Sequence, residues 1–239
     1  CNGTGAPLAT RLLAALGWQF LDADGAPLSP VGGSLGAVAR VVPGSTLDGI
    51  ELIAACDVTT PLYGPAGAAA TFAPQKGASP GEVARLDRGL AHFAAVIAET
   101  LGRDLAATPG AGAAGGLGFA LLAGLGATFQ PGAALAIEFS RLEERLATAD
   151  LCLTGEGRTD EQTALGKLPV AVAACCARTG VPCVALSGAL MEDWRALYAH
   201  GFTALFSIAQ HPQELSEAIA EAADNLADAA EAVARLVRR

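Results

Sequence analysis

From Asp150 onward, apolar runs of strand length alternate with stretches of helical spacing. The links between them are short, which predicts a parallel sheet with helices on both faces. Leu151–Thr154, Val181–Ser187 and Thr203–Ile208 are the expected strands. Leu168–Thr179 reads as a helix closed by Gly180, and Asp193–His200 as one closed by Gly201. Glycine is the common residue just past a helix C-terminus. A last helix is predicted from about Gln213 to Arg239, with Leu215, Ile219, Leu226, Val233 and Val237 on one face.

Residues 1–145 are less regular. Leu8–Leu16 reads as a helix ended by Gly17, Trp18–Leu21 as a short strand, and Asp22–Gly25 as a turn with an Asp-Gly hairpin signal. Val38–Val42 is rich in β-formers. Ile50–Cys56 is nearly all apolar, which predicts a strand buried on both faces. Ser79, Pro80 and Glu82 spell a helix start, and Val83, Leu86, Leu90, Phe93, Ile97 and Leu101 follow at helical spacing. Leu105–Ile137 carries no charge, but its dense apolar part, Leu117–Leu125, is too short to span a bilayer and predicts a buried core helix. Arg141–Ala147 reads as a short helix of mixed charge. A domain boundary is expected between Glu138 and Ala149, dividing 1–145 from 146–239. No internal repeat is visible.

Composition sharpens this picture. The chain is 52% hydrophobic and 16% charged, so dense polar clusters stand out. With a net charge of −9 and 15 Lys plus Arg, it lacks the clustered cations that a nucleic-acid partner requires. The six cysteines show no CxxC pair and no zinc spacing with histidine. They read as small buried hydrophobes in a reducing compartment, hence a cytoplasmic protein. His92, His200 and His211 share no motif and read as surface or cap residues. No signal peptide is visible, and the start at Cys1 suggests that the true N-terminus lies upstream.

The densest polar cluster is Leu151–Lys167. There a short apolar run meets Gly155-Glu156-Gly157, then Arg158, Asp160, Glu161, Gln162 and Lys167. A buried strand opening into a glycine turn and a helix is how open α/β sheets present ligand-binding groups. Ile50–Cys56 ends similarly, at Asp57 and a Pro/Gly-rich loop, and a second polar loop holds Gln75, Lys76 and Gly77. Gly110, Gly112 and Gly115 satisfy GxGxxG, but no clear strand precedes them, so a dinucleotide fingerprint is set aside. A glycine loop offering N–H groups to an anion is retained, at Gly110–Gly118 or Gly155–Gly157.

Lys76 is a candidate for neutralising a phosphate or carboxylate, against a solvated loop lysine. Arg158 is either a bidentate carboxylate clamp or the ion-pair partner of Glu156 or Asp160. Asp160 is the first candidate for general base or metal-side carboxylate and Glu156 the second; a helix N-cap is the plain reading of Asp160. Asp57 is a metal or substrate partner, or a turn former. Lys167 lacks Walker spacing and ranks below Lys76.

Four segments together resemble the bacterial type-1 glycerate kinases: DVTTPLYGPAGAAATFAPQKGA (57–78), PGAGAAGGLG (109–118), DLCLTGEGRTDEQTALGKLPVAVA (150–173), and the Phe206–Ile208 strand with its closing helix to 237. The resemblance implies ATP- and Mg2+-dependent phosphorylation of glycerate at an inter-domain cleft. It implies two α/β domains: a Rossmann-like parallel sheet, present here as its second half, and a more irregular inserted domain. Asn2 falls in a shortened counterpart of the family's "ATNDGGAG" segment, and Thr60 stands where the family has Asn.

On this reading the catalytic set is Asp160, Lys76, Glu156 and Arg158. Asn2, Asp57, Gln75, Gly77, Gly112, Gly115, Gly155, Gly157 and Gln162 bind substrate or nucleotide, and Asp160 and Asp57 hold metal. The 239 residues alone are expected to be inactive. The alternatives are a non-catalytic small-anion or nucleotide binder on the same scaffold, or a kinase for another short hydroxy acid. The partner is a small molecule, with no nucleic acid or membrane; oligomeric state is open, a homodimer among the options.

Overall fold

The computed structural model describes residues 5–29, 31–164 and 166–237. The chain divides into two compact units, Cys1–Pro131 and Gly132–Arg239, each with its own core.

The first unit runs α1 (Gly5–Ala15), β1 (Gln19–Leu21), β2 (Arg40–Val42), β3 (Ile53–Ala55), α2 (Ala68–Phe72), α3 (Pro80–Leu101), α4 (Leu117–Leu125) and β4 (Thr128–Gln130). Helix α3 begins where the sequence places it. The Ser79 side chain accepts from the Glu82 N–H, and the Glu82 carboxylate accepts from the Ser79 N–H at 2.8 Å, so two orphan donors are satisfied reciprocally. Gly102 ends the helix in the left-handed conformation. The apolar stripe of α3 brings Phe93 against Phe20 of β1 and Phe119 of α4, with ring centroids 5.8 and 6.3 Å apart. Burying each such ring contributes about 1.5–3 kcal/mol. Helix α4 is the buried core helix expected from its composition, with Phe119, Ala120 and Ala123 inside. Among the described residues no helix is long and apolar enough to cross a membrane.

Strand β3 departs from expectation. It covers three residues rather than seven, and it is not buried on both faces: Ile50 is 62% and Ile53 36% exposed. Its described partner is β4 alone, in parallel register with Ala54 opposite Phe129. An apolar run is buried on both faces only where layers cover it, and a two-stranded pair supplies none.

The second unit runs α5 (Gly132–Ser140), α6 (Leu142–Leu146), β5 (Cys152–Thr159), α7 (Glu161–Ala164), α8 (Leu168–Thr179), β6 (Cys183–Leu190), β7 (Ala204–Ser207), α9 (Leu215–Ala220) and α10 (Ala222–Val237). Strands β5, β6 and β7 form one parallel sheet in that order. Successive side chains leave opposite faces. Cys183 and Ala185 therefore pack with α8, while Val184 and Leu186 pack with Val233 of α10. Helices α5 and α6 belong here because Ile137, Leu142 and Leu146 pack on the α8 core. The division accordingly falls at Pro131–Gly132, ahead of the expected Glu138–Ala149 boundary.

The closing helix is broken. Glu221 leaves helical geometry at φ −94°, ψ 1°, separating α9 from α10. Of the five apolar residues on its expected face only Val233 is buried; Leu215 and Ile219 are 74% and 68% exposed. Helical spacing marks a stripe without ensuring that a surface meets it.

Candidate active site

The polar stretch after Leu151 does not turn at its glycines. Strand β5 continues through Gly155, Glu156 and Gly157 to Thr159, pairing with β6 up to Leu190. The glycines are there for proximity. A Cβ on Gly155 would lie 2.3 Å from the Leu186 carbonyl oxygen, and one on Gly188 would lie 2.4 Å from that of Gly157. A glycine-turn anion cradle at Gly155–Gly157 is therefore not what the chain forms, because these residues belong to a strand rather than a turn.

The extra strand length carries the polar side chains to one point. Glu156 Oε1 accepts from Thr159 Oγ1 at 3.0 Å and from Thr163 Oγ1 at 2.7 Å. Thr159 has one proton, given to Glu156, so in its 2.7 Å contact with Ser187 the serine donates. Thr163 also accepts from the Asp160 N–H at 3.2 Å. Thr159, Thr163 and Ser187 are all at most 1% exposed, so this chain of hydroxyls has no access to water and a fixed donor order.

Asp160 follows directly after the strand. Its Oδ2 receives Arg158 Nε at 2.9 Å and Nη2 at 2.7 Å, and Lys167 Nζ stands 3.5 Å from Oδ1. Lys167 is also 3.7 Å from Glu156 Oε2, so one ammonium spans both carboxylates. The Glu156 and Asp160 side chains are only 15% and 13% exposed, whereas Arg158 is 62% exposed. The ion-pair reading of Arg158 is the arrangement observed. Asp160 also stands directly before α7, where its carbonyl accepts from the Thr163 N–H at 3.0 Å as an N-cap carbonyl does.

The second unit also contains a groove of about 1120 Å³ beside β5, β6 and β7, bounded by α9 and α10. Glu156, Gly157 and Gly188 border it, with Leu215 and Ile219 opposite. The Gln213 amide lines this groove with both polar atoms buried and without a hydrogen-bond partner among the described residues.

Of the remaining predicted residues, Asp57, Gln75, Lys76, Gly77, Gly112 and Gly115 lie in the first unit. Gly110–Gly116 forms a loop leading into α4, and helix α3 rather than a strand comes before it, so the dinucleotide motif is absent there. It packs on the loop after β3: the Gly112 N–H donates to the Thr60 carbonyl at 2.9 Å, and a Cβ on Gly112 would meet the Pro61 carbonyl oxygen at 2.2 Å. Gly115 sits in the short 3-10 turn of that loop. Asp57 is exposed just past β3. Gln75 and Lys76 are exposed on a 3-10 turn ended by Gly77 at φ 84°. Asn2 lies outside the described residues, and Gln162 is placed on α7.

Sequence reasoning ranked Lys167 low and missed Thr159, Thr163, Ser187 and Gln213. Lys167 had one available signal, its place in the TGEGRTD–GK segment. Ser187 and Gln213 had none, because they come to the site from other elements.

The fold and the cluster together define a parallel α/β protein with acids and cations gathered at the C-terminal end of a strand. The chain belongs to the glycerate kinase family, whose profile matches residues 8–238. It is 40% identical to a glycerate kinase of Bacillus subtilis strain 168, over 95% of this chain and 60% of that protein. It is 38% identical to glycerate 2-kinase of Escherichia coli K12, over 93% of this chain and 59% of that protein. A crystal structure of a proposed glycerate kinase 2 from Salmonella typhimurium LT2 superposes with a TM-score of 0.78 at 37% identity, covering 95% of this chain and 59% of that one. The chain thus spans about 60% of the length of these relatives.

Proposed function

We propose that this chain carries the acid–base and phosphate-binding groups of an ATP-dependent glycerate kinase. The observation that carries the reading is the joint placement of Glu156, Asp160, Lys167 and Arg158 at the end of β5. Phosphoryl transfer asks little covalent chemistry of a protein; it asks for fixed cations and a carboxylate at the attacking hydroxyl. Glu156 is committed to the Thr159 and Thr163 hydroxyls and to Lys167, and holds the geometry. Asp160 is the carboxylate that takes the substrate proton.

In the reaction a glycerate hydroxyl oxygen bonds to the γ-phosphorus of ATP. The bond from that phosphorus to the β–γ bridging oxygen breaks, ADP departs, and the hydroxyl proton passes to Asp160. Lys167 and Arg158, paired with carboxylates in the ligand-free protein, are the cations available to phosphate oxygens. The groove beside β5–β7 is the place for the nucleotide, with the Gln213 amide offering a donor and an acceptor to the base. Lys76, Gln75, Gly77, Asp57, Gly112 and Gly115 enter as substrate or nucleotide candidates on their motifs alone.

Mg2+ fits the donor chemistry. Asp160 is an oxygen ligand beside a phosphate site, and Mg2+ characteristically binds one or two carboxylates plus phosphates and water. Asp160 would hold it, and the ion would offset phosphate charge.

The test uses the complete polypeptide in which these residues occur. Asp160→Asn should lower kcat by about 10²–10⁴-fold, the usual contribution of general acid–base catalysis, with circular dichroism unchanged. Phosphorus NMR of the product should identify the 2- or 3-phosphate. ATP binding without glycerate-dependent ADP release would replace the kinase reading by the anion-binding one. Full turnover in Asp160→Asn would remove Asp160 from its role.

A further inference from the structure

At the opposite end of the same sheet lies a cluster that the proposed chemistry does not use. Cys152 opens β5 and Cys183 opens β6, and parallel register sets them directly opposite each other. Cys176, on α8, packs over the same face. The three sulfurs lie within 4.8 Å of one another. Cys176 and Cys183 have no exposed surface, and Cys152 is half-buried. Seven residues of strand separate this cluster from Thr159, on the order of 20 Å.

We propose that Cys152, Cys176 and Cys183 bind one thiophilic d10 metal ion, Cu+ or Zn2+. A triangle of sulfurs 4.8 Å on edge places each about 2.8 Å from its centre, and metal–thiolate bonds are about 2.3 Å long. Each sulfur then moves inward by roughly half an ångström, within reach of side-chain rotation. An all-sulfur donor set excludes Mg2+ and Ca2+, which take oxygen, and selects soft cations. Cu+ is satisfied by three sulfurs. Zn2+ takes a fourth ligand, for which water can approach past Cys152. On binding, three S–H bonds break, three protons leave for solvent and three metal–sulfur bonds form, with no change of oxidation state. Such an ion ties β5, β6 and α8 together and stabilises the second unit by mass action.

The plain alternative is that the three thiols merely fill the core. To separate the two, metal-free reduced protein is titrated anaerobically with Cu+ against a chromophoric Cu+ chelator, and in a second arm with Zn2+ against a Zn2+ chelator. The expected result in at least one arm is one ion per chain with about three protons released. Cys176→Ala and Cys183→Val should each weaken binding by on the order of 100-fold or more, while Cys56→Ser and Cys175→Ser leave it unchanged. Folding of the variants is followed by circular dichroism. Should they not fold, the wild-type protein still decides the matter, because bound metal must shield Cys152 from alkylation while Cys56 keeps reacting. No uptake in either arm, uptake unchanged in folded Cys176→Ala and Cys183→Val, or shielding at Cys56 alone overturns the proposal.

Discussion

Thr163→Val tests whether the hydroxyl network holds the site together. Thr163 has no exposed surface, and its hydroxyl donates to Glu156 at 2.7 Å and accepts from the Asp160 N–H at 3.2 Å. Valine keeps the shape and removes both bonds. A hydrogen bond to a charged group contributes about 1.5–3 kcal/mol and a neutral one about 0.5–1.5 kcal/mol. The added buried methyl returns about 1 kcal/mol. The net cost is about 1–3.5 kcal/mol, centred on β5 and its neighbour β6. Hydrogen exchange read by mass spectrometry on segments 152–159 and 183–190 should therefore accelerate by roughly 5- to 300-fold, since about 1.4 kcal/mol is tenfold. The same experiment on Glu156→Gln and on the double variant closes a cycle, which should be non-additive by about 1–2 kcal/mol if the two groups interact as described. Acceleration below about twofold, or strict additivity, would refute the network as a stabilising element.

Two further predictions concern the same sheet. Gly155→Ala forces a Cβ to 2.3 Å from the Leu186 carbonyl oxygen, whereas a Cβ on Gly157 meets nothing within 4 Å. Thermal denaturation should show Gly155→Ala losing about 1–3 kcal/mol or more and Gly157→Ala within about 0.5 kcal/mol of wild type; equal effects would contradict the close strand approach. In the metal-free protein, burial and then the neighbouring Cys152 raise the Cys176 thiol from its ordinary 9.0 to about 11. Above pH 9 the unfolded chain loses this proton while the folded one keeps it, so stability is full below about 9 and falls as pH rises to about 11. The loss is on the order of 2 kcal/mol, and Cys176→Ala should flatten the urea-midpoint profile over that window; an unchanged slope would show that Cys176 is not its source.

Much of the fold is legible because its signals are local. Ser79, Pro80, Glu82 and Gly102 mark the ends of α3, since capping satisfies backbone groups within a turn of the residues concerned. Gly180 and Gly201 close the elements before β6 and β7 for the same reason, both at positive φ. The three parallel strands follow from short apolar runs with short links. Where burial depends on a surface brought from elsewhere, the pattern misleads: Ile53 and Leu215 are apolar and exposed.

At the site, the Leu151–Lys167 stretch was identifiable by its polar density in an apolar chain, and Glu156, Arg158 and Asp160 do converge there. Its internal geometry was not. Gly155 reads as a turn because glycine commonly marks one. Only the neighbouring β6 carbonyl shows that it permits close strand approach.

By itself the sequence determined the family, the alternation of strands and helices in the second unit, and the type of chemistry its polar stretch can carry. These depend on residue identity and near neighbours. Tertiary structure alone decided that Lys167 bridges two carboxylates, that Ser187 ends a buried proton chain, and that three cysteines far apart in sequence share one corner of the sheet. Each of those is a through-space relation set by strand register and helix packing, and none is written in the spacing of the residues involved.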